Sequence, residues 1–168
     1  MLVSRILSLD YLWNEIRVKG GAYGAGFSQL DNGMSRFYSY RDPACDESLE
    51  RYTKAGDWLS TLKLDDLDFE GYIISCIGSL DTPLPPQLSA LKLDALRYQG
   101  KPYNYLKQLR DEVLATTKDD ITQAAQELTD PKRKQSICVF GSKQSLKNSQ
   151  AHLKLIELIA EDGDALCH

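Results

Sequence analysis

Arg17 and Tyr23 stand six residues apart on either side of the pair Gly20-Gly21. An arginine guanidinium carries a fixed fork of N–H donors, and a tyrosine offers one phenolic O–H. Gly20 and Gly21 have access to the positive-φ conformations that stop a helix. Gly24, Ala25 and Gly26 follow with almost no side chain, so another backbone could lie close along them. Such a set has the chemistry to grip the carbonyls of an extended peptide. A plainer account also fits: Arg17 interacting favourably with a helix C-terminus, and Tyr23 as a half-exposed strand aromatic. Residue chemistry alone leaves both open and leans to the plainer one.

Other chemistries are poorly supplied. The glycine cluster 20–26 lacks the Gly-Lys-Ser/Thr ending of a phosphate loop, because Phe27 follows and Lys19 precedes it. The acidic stretch Asp65-Asp66-Leu67-Asp68-Phe69-Glu70 lacks the twelve-residue calcium-loop spacing and reads as a carboxylate-rich helix start. Lys132-Arg133-Lys134 is too short for a nucleic-acid arm. The four cysteines, Cys45, Cys76, Cys138 and Cys167, form no close pair of the kind that holds zinc. Cys76 and Cys138 sit in apolar runs and are expected in the core. Only two histidines are present, His152 and His168, and Glu157 lies five residues after His152, the wrong register for a two-ligand helix face. No metal ligands and no resident cofactor are therefore assigned to this chain.

The elements that must position Arg17 and Tyr23 follow from periodicity. In 168 residues with 42% hydrophobic and 26% charged side chains, one domain with a single core is expected. The formal net charge of -4 argues against a nucleic-acid partner. No apolar run approaches the roughly 18 residues of a spanning helix, so no membrane partner is expected; nor is a signal peptide visible. Leu2, Ile6, Leu9, Leu12, Trp13 and Ile16 recur at spacings of three and four, predicting an amphipathic helix over 2–17. Strands are predicted over 21–30 and 34–41 around Asp31-Asn32-Gly33, with Phe37 facing opposite to Tyr38 and Tyr40. A helix capped by Asp46 is predicted to run to about 62, with Leu49, Tyr52, Ala55, Leu59 and Leu62 as its apolar stripe. Another is expected over 66–80, with Leu67, Ile73, Ile74, Ile77 and Leu80 mostly inward. The run Thr82–Pro86 breaks it, and 87–129 reads as three helical pieces, the third started by Thr117 with Asp120. A β-type run over 135–141 and a final helix or pair of helices to about 161 complete the pattern. Tyr103 and Tyr105 are read as packing a helix start.

Tyr11-Leu-Trp-Asn-Glu-Ile-Arg-Val-Lys-Gly-Gly-Ala-Tyr-Gly24, Phe37-Tyr-Ser-Tyr-Arg-Asp-Pro43 and Ser136-Ile-Cys-Val-Phe-Gly-Ser142 closely resemble the last domain of the presequence-protease branch of the pitrilysin/insulinase zinc peptidases. The resemblance spans most of the chain and reverses the preference between the two accounts of Arg17 and Tyr23. It implies an α+β two-layer sandwich, an antiparallel-rich sheet faced by helices, as in LuxS/MPP-like metallopeptidase domains. Residues 1–168 would be a single, partial C-terminal domain, because three strands are few for such a sheet and the family's first strands precede this segment. An exposed sheet edge or apolar face is expected, with a homodimer of the fragment as one way to cover it.

The resemblance also implies the site. Arg17 would bind a substrate carbonyl, Tyr23 would donate to the oxygen that turns negative as water attacks, and Gly24 and Ala25 would line the substrate. The zinc, held in the family by an inverted His-x-x-Glu-His motif absent here, would belong to the N-terminal half of a parent enzyme that degrades unstructured peptides in a closed chamber. By itself this chain is expected to be inactive. The alternative is a separately encoded, non-catalytic peptide-binding or partner subunit. The branch has organellar and bacterial members, so a bacterial cytoplasm or an organelle matrix is the expected compartment.

Overall fold

A computed structural model describes residues 1–30, 33–151 and 153–156 of the chain. It opens with α1 (Leu2–Ile6), which runs without a break into a π-helical segment, Leu7–Val18. The amide of Lys19 donates to the Asn14 carbonyl at 3.0 Å, five residues back. π winding is usually confined to single turns near functional sites; here it spans 12 residues. The wider turn changes which side chains share a face. Leu2, Leu7 and Leu12 form one buried row and Ile6, Tyr11 and Ile16 another, each spaced by five or, between Leu2 and Leu12, twice five. Leu9 and Trp13, placed inward by an α-helical period, are instead 48% and 44% exposed.

The helix ends at Gly21, whose φ of 80° is left-handed. Gly21 donates to the Arg17 carbonyl and Ala22 to the Ile16 carbonyl, at 3.0 and 3.2 Å. This is a Schellman-like closure, widened by one residue to match the π turn. The chain then enters β1 (Gly24–Gln29), which pairs antiparallel with β2 (Ser35–Tyr40), with Phe27 opposite Phe37 and Gly26 opposite Tyr38. At the hairpin Leu30 donates to the Met34 carbonyl, and Gly33, at φ 83°, donates to the Leu30 carbonyl. The expected reversal at Gly33 therefore forms; Asp31 and Asn32 lie outside the described residues. Ala25, Phe27 and Phe37 face the core, while Tyr38 and Tyr40 face out. On the other edge of β1, the Ser8 hydroxyl accepts from the Phe27 amide at 3.0 Å and sits 3.3 Å from its carbonyl.

The predicted helix over 46–62 is two helices, α2 (Cys45–Thr53) and α3 (Ala55–Thr61), meeting at Lys54. Asp46 does not cap α2. The cap position is Ala44, and the Asp46 carboxylate accepts from Ser149 Oγ and the Gln150 amide, tying the C-terminal segment down. Those two bonds hold the Asp46 carboxyl below its ordinary pKa. α4 (Asp66–Leu80) occupies its predicted span, with the Asp65 carboxylate capping the Asp68 amide. Ile73, Cys76, Ile77 and Leu80 face the core, but Leu67 and Ile74 point to solvent.

α5 (Pro86–Tyr98), α6 (Tyr105–Ala115) and α7 (Lys118–Thr129) are the three expected pieces. Thr117 and Asp120 make a reciprocal capping box. α3 packs on α7 at Gly56, where a Cβ would come within 2.7 Å of Thr129 Cγ2. α5 buries no residue.

The fold is thus α+β, largely helical with a small two-stranded antiparallel sheet among the described residues. The predicted strand over 135–141 does not form: this run pairs with no strand among the described residues, Cys138 is exposed rather than in the core, and Phe140 is 87% exposed. A β-type run needs a neighbouring strand to hydrogen-bond. Its start is held near the ribbon, where the Arg133 guanidinium donates to Ser35 Oγ. α8 (Lys143–Asn148) is the final described helix; the predicted helical continuation toward 161 does not form over 149–151 and 153–156, which are not helical, while His152, Glu157, Cys167 and His168 lie outside the described residues.

Two measurements check this core. Leu7→Ala is expected to reduce unfolding free energy by about 2–5 kcal/mol, and Leu9→Ala by less than about 0.5 kcal/mol, read from urea midpoints. The reverse order would mean α-helical winding. Burial raises the Tyr52 phenol to about 12, from 10.0. Its neutral form is therefore favoured by the fold, so this contribution is complete below pH 10 and is lost as pH rises toward about 12. Tyr52→Phe should flatten that part of the alkaline stability profile.

Candidate functional site

Arg17 lies in the last turn of the π segment, its guanidinium carbon 3.9 Å from the centre of the Trp13 ring. The contact joins residues four apart, and it is available because the π turn brings Trp13 outward. Glu15, the nearest carboxylate in sequence, is bonded to Lys19 at 2.5 Å. Among the described residues Arg17 makes no ion pair, so its N–H fork is stacked rather than neutralised. Stacking on an indole holds a guanidinium by cation–π attraction without consuming its in-plane donors.

Tyr23 follows the glycine turn and is 66% exposed. Its amide donates to the Tyr40 carbonyl at 3.1 Å, and its ring meets the Tyr40 ring edge-on at 6.0 Å between centres. The Arg41 guanidinium lies 5.9 Å from the Tyr23 ring centre and 5.4 Å from that of Tyr40. Backbone and ring contacts fix where Tyr23 stands, leaving its phenol in solvent. Arg17 and Tyr23 are joined through the turn, not by a bond between their side chains.

The turn itself is tightly held. A Cβ at Gly20 would lie 2.5 Å from the Ile16 carbonyl oxygen and 2.6 Å from Arg51 Nη1; one at Gly21 would meet Pro43 Cγ at 3.6 Å. The chain between Arg17 and Tyr23 is therefore lodged between α2 and the segment after β2. The Arg51 carbonyl in turn accepts from the Tyr11 phenol at 2.7 Å, tying α2 to the π segment. Burial, and after it the charge of Glu15, raise the Tyr11 phenol, which keeps it a donor.

Of the low-relief positions, only Gly24 presents open space, with nothing within 4 Å of where its Cβ would be. The Ala25 side chain packs toward the core, so it presents no side chain to a ligand. Gly26 is covered by Tyr38, whose hydroxyl would lie 2.5 Å from a Cβ there. The smooth surface expected over 24–26 is thus shortened to its first residue. Trp13 and Arg41 were not singled out from the sequence. The Trp13–Arg17 spacing of four was a usable signal for one, and the position of Arg41 at the end of an alternating strand for the other.

No group of three or more His, Cys, Asp or Glu side chains is placed to hold a metal ion among the described residues. A cavity of about 230 Å³ lies elsewhere, between the start of α1, the end of β1 and α6–α7, floored by Leu2, Phe27, Val113 and Ile121. Neither Arg17 nor Tyr23 lines it. The surface around Tyr23 is open rather than a closed pocket.

Residues 1–143 match the family described as PreP C-terminal domain. The chain belongs to that family. It is 32% identical over 152 residues to Protein HypA of Clostridium perfringens, an alignment covering 89% of this chain and 15% of that protein. It is 32% identical over 162 residues to the mitochondrial presequence protease of Gibberella zeae, covering 94% of this chain and 16% of that one. With the mitochondrial presequence protease of Mus musculus it shares 32% identity over 124 residues, 74% of this chain and 12% of that protein. The chain therefore spans only about 12–16% of the length of these relatives. The PreP C-terminal domain family includes the whole Trp13–Pro43 region in which the site is built.

Stability variants at the turn check this geometry. Gly20→Ala should lower unfolding free energy by about 1–3 kcal/mol, because the backbone oxygen of Ile16 has nowhere to move. Gly24→Ala should change it by less than about 0.5 kcal/mol. Equal effects in chemical denaturation would show that the turn is not lodged as described.

Proposed function

We propose that this chain is the C-terminal, non-zinc-binding part of a zinc metallopeptidase that degrades unstructured peptides inside a closed chamber. Its contribution is substrate positioning and transition-state stabilisation, with Arg17 binding a peptide carbonyl and Tyr23 donating to the oxygen that becomes negative. The observation carrying this reading is the pairing of an un-neutralised guanidinium with a solvent-facing phenol across a turn that neighbouring elements hold in place. Membership of the PreP C-terminal domain family supports it, since two of the relatives described above are presequence proteases. Gly24 and the Ala25 backbone would run beside the substrate, making β1 part of the chamber wall.

Zinc would come from the N-terminal half of the parent. Bound there, it would polarise the attacking water; no step on this chain runs through it. Donors aimed at developing charge accelerate a reaction only where they bind the transition state better than the substrate. A solvent-exposed phenol in an open half-site becomes effective once a second half excludes water around it. In the same reading the ribbon β1–β2 belongs to a larger sheet of a LuxS/MPP-like two-layer sandwich.

In the native-length polypeptide, Tyr23→Phe and Arg17→Ala should each lower kcat on unstructured peptides by about 10²–10³, with zinc content unchanged by metal analysis. Wild-type turnover in both variants would refute the assignment. A native polypeptide of 18.9 kDa that binds peptides without hydrolysing them would instead select the partner-subunit reading.

A further inference from the structure

The outward face of the β1–β2 ribbon has a composition that the roles of Arg17 and Tyr23 leave unused. Alternation along β2 sends Arg36, Tyr38 and Tyr40 to solvent, and Arg41 continues the row. The Arg36 guanidinium lies 5.8 Å from the Tyr38 ring and donates through Nε to Ser28 Oγ at 3.0 Å. Tyr38 leans across the strand pair onto Gly26, which has no side chain to obstruct it. Arg41 stands over both Tyr40 and Tyr23. The result is a ledge of aromatic rings interleaved with cations, roughly 14 Å along β1 from Gly24 to Ser28, with Tyr23 at one end.

Two features distinguish this ledge from an ordinary polar strand face. Neither Arg36 nor Arg41 makes an ion pair among the described residues, although the chain carries a net charge of -4. Asp42, adjacent in sequence, has Oδ1 accepting from the Ala44 amide and Oδ2 buried, so its carboxylate is turned inward. Arg41 also has φ 49°, the only positive value at a non-glycine residue among the described residues. A left-handed backbone is unfavourable for a long side chain, and such residues concentrate where a ligand is held.

We infer that this ledge is a subsite for carboxylate groups on extended peptides, with Arg41 as the specificity-determining residue. The inference rests on the peptide-binding reading of Arg17 and Tyr23 and adds to it the chemistry of the substrate beyond the reacting bond. A peptide lying along β1 from Tyr23 passes the ledge, where a guanidinium offers a carboxylate two parallel N–H donors. The tyrosine rings supply flat apolar area for the peptide's own side chains. The carboxylate is either an acidic side chain or the free C-terminus of the substrate.

The test uses the native-length polypeptide, with chelator present to prevent hydrolysis, and reads fluorescence anisotropy of labelled unstructured peptides. One series exchanges Glu for Gln along the peptide; a second exchanges a free C-terminus for an amide. Wild type should prefer the carboxylate member of one series by on the order of tenfold, and that series identifies the source. Arg41→Gly, which suits the left-handed backbone and so preserves the fold, should bring the ratio toward one, and Arg41→Lys should keep part of it. A ratio unchanged in Arg41→Gly, or near one in wild type, overturns the subsite. So does a single-stranded oligonucleotide that displaces the acidic peptide more effectively than unlabelled peptide does. Hydrolysis assays on Arg17→Ala and Tyr23→Phe separate the two failures. If those variants turn over normally, the functional reading falls; if they lose turnover while Arg41 leaves selectivity unmoved, only the subsite falls.

Discussion

The i→i+5 winding of Leu7–Val18 is the constraint on which the rest of this structure depends. It selects the side chains that enter the core, Leu7, Tyr11, Leu12 and Ile16, and turns Trp13 outward to hold Arg17. It also sets the width of the closure at Gly20-Gly21, in which carbonyls of the last turn accept from Gly21 and Ala22. That closure delivers the chain to β1 with Tyr23 as its first outward side chain. An α-helical ending would carry the same residues on different faces. Rare helical geometry is therefore where the proposed pair, Arg17 and Tyr23, is positioned, and π segments often lie near functional sites.

Elements with strong local signals were legible in the sequence. α4 carries its own cap at Asp65, α7 has the Thr117–Asp120 box, and the hairpin has Gly33 where φ must be positive. Alternation over Phe37–Tyr40 assigned the faces of β2 correctly because a strand's period admits no other reading. What misled was anything depending on a partner. The stripe Leu2–Ile16 was read with an α-helical period, and nothing local announces π winding. The separation of α2 from α3 falls at Lys54, with no proline there and the nearby Gly56 inside α3. Asp46 resembled a cap, but its carboxylate serves Ser149 and Gln150, about a hundred residues away in sequence. Of the site, Arg17, Tyr23 and Gly24 are legible through their spacing around the glycines; the spacing of Trp13 from Arg17 and the strand-end position of Arg41 are weaker signals that gain meaning only once the winding and the strand end are fixed in space.

A second theme is apolar surface without internal cover. α5 buries none of its leucines, Leu67 and Ile74 of α4 face solvent, and the run over 135–141 holds Ile137 and Phe140 outside any sheet. These surfaces belong to a chain that spans about 12–16% of the length of its relatives. The surface at Tyr23 is open in the same way: its backbone and ring contacts are fixed while the residue is 66% exposed.

The most direct measurement is a structure of the native-length polypeptide with an uncleaved peptide bound, read at one distance. The account predicts the Tyr23 phenol oxygen within about 2.7–3.1 Å of the position the oxyanion will occupy, with the Arg17 fork on a neighbouring carbonyl. A peptide bound with Tyr23 and Arg17 still facing bulk solvent, away from the reacting bond, would contradict it.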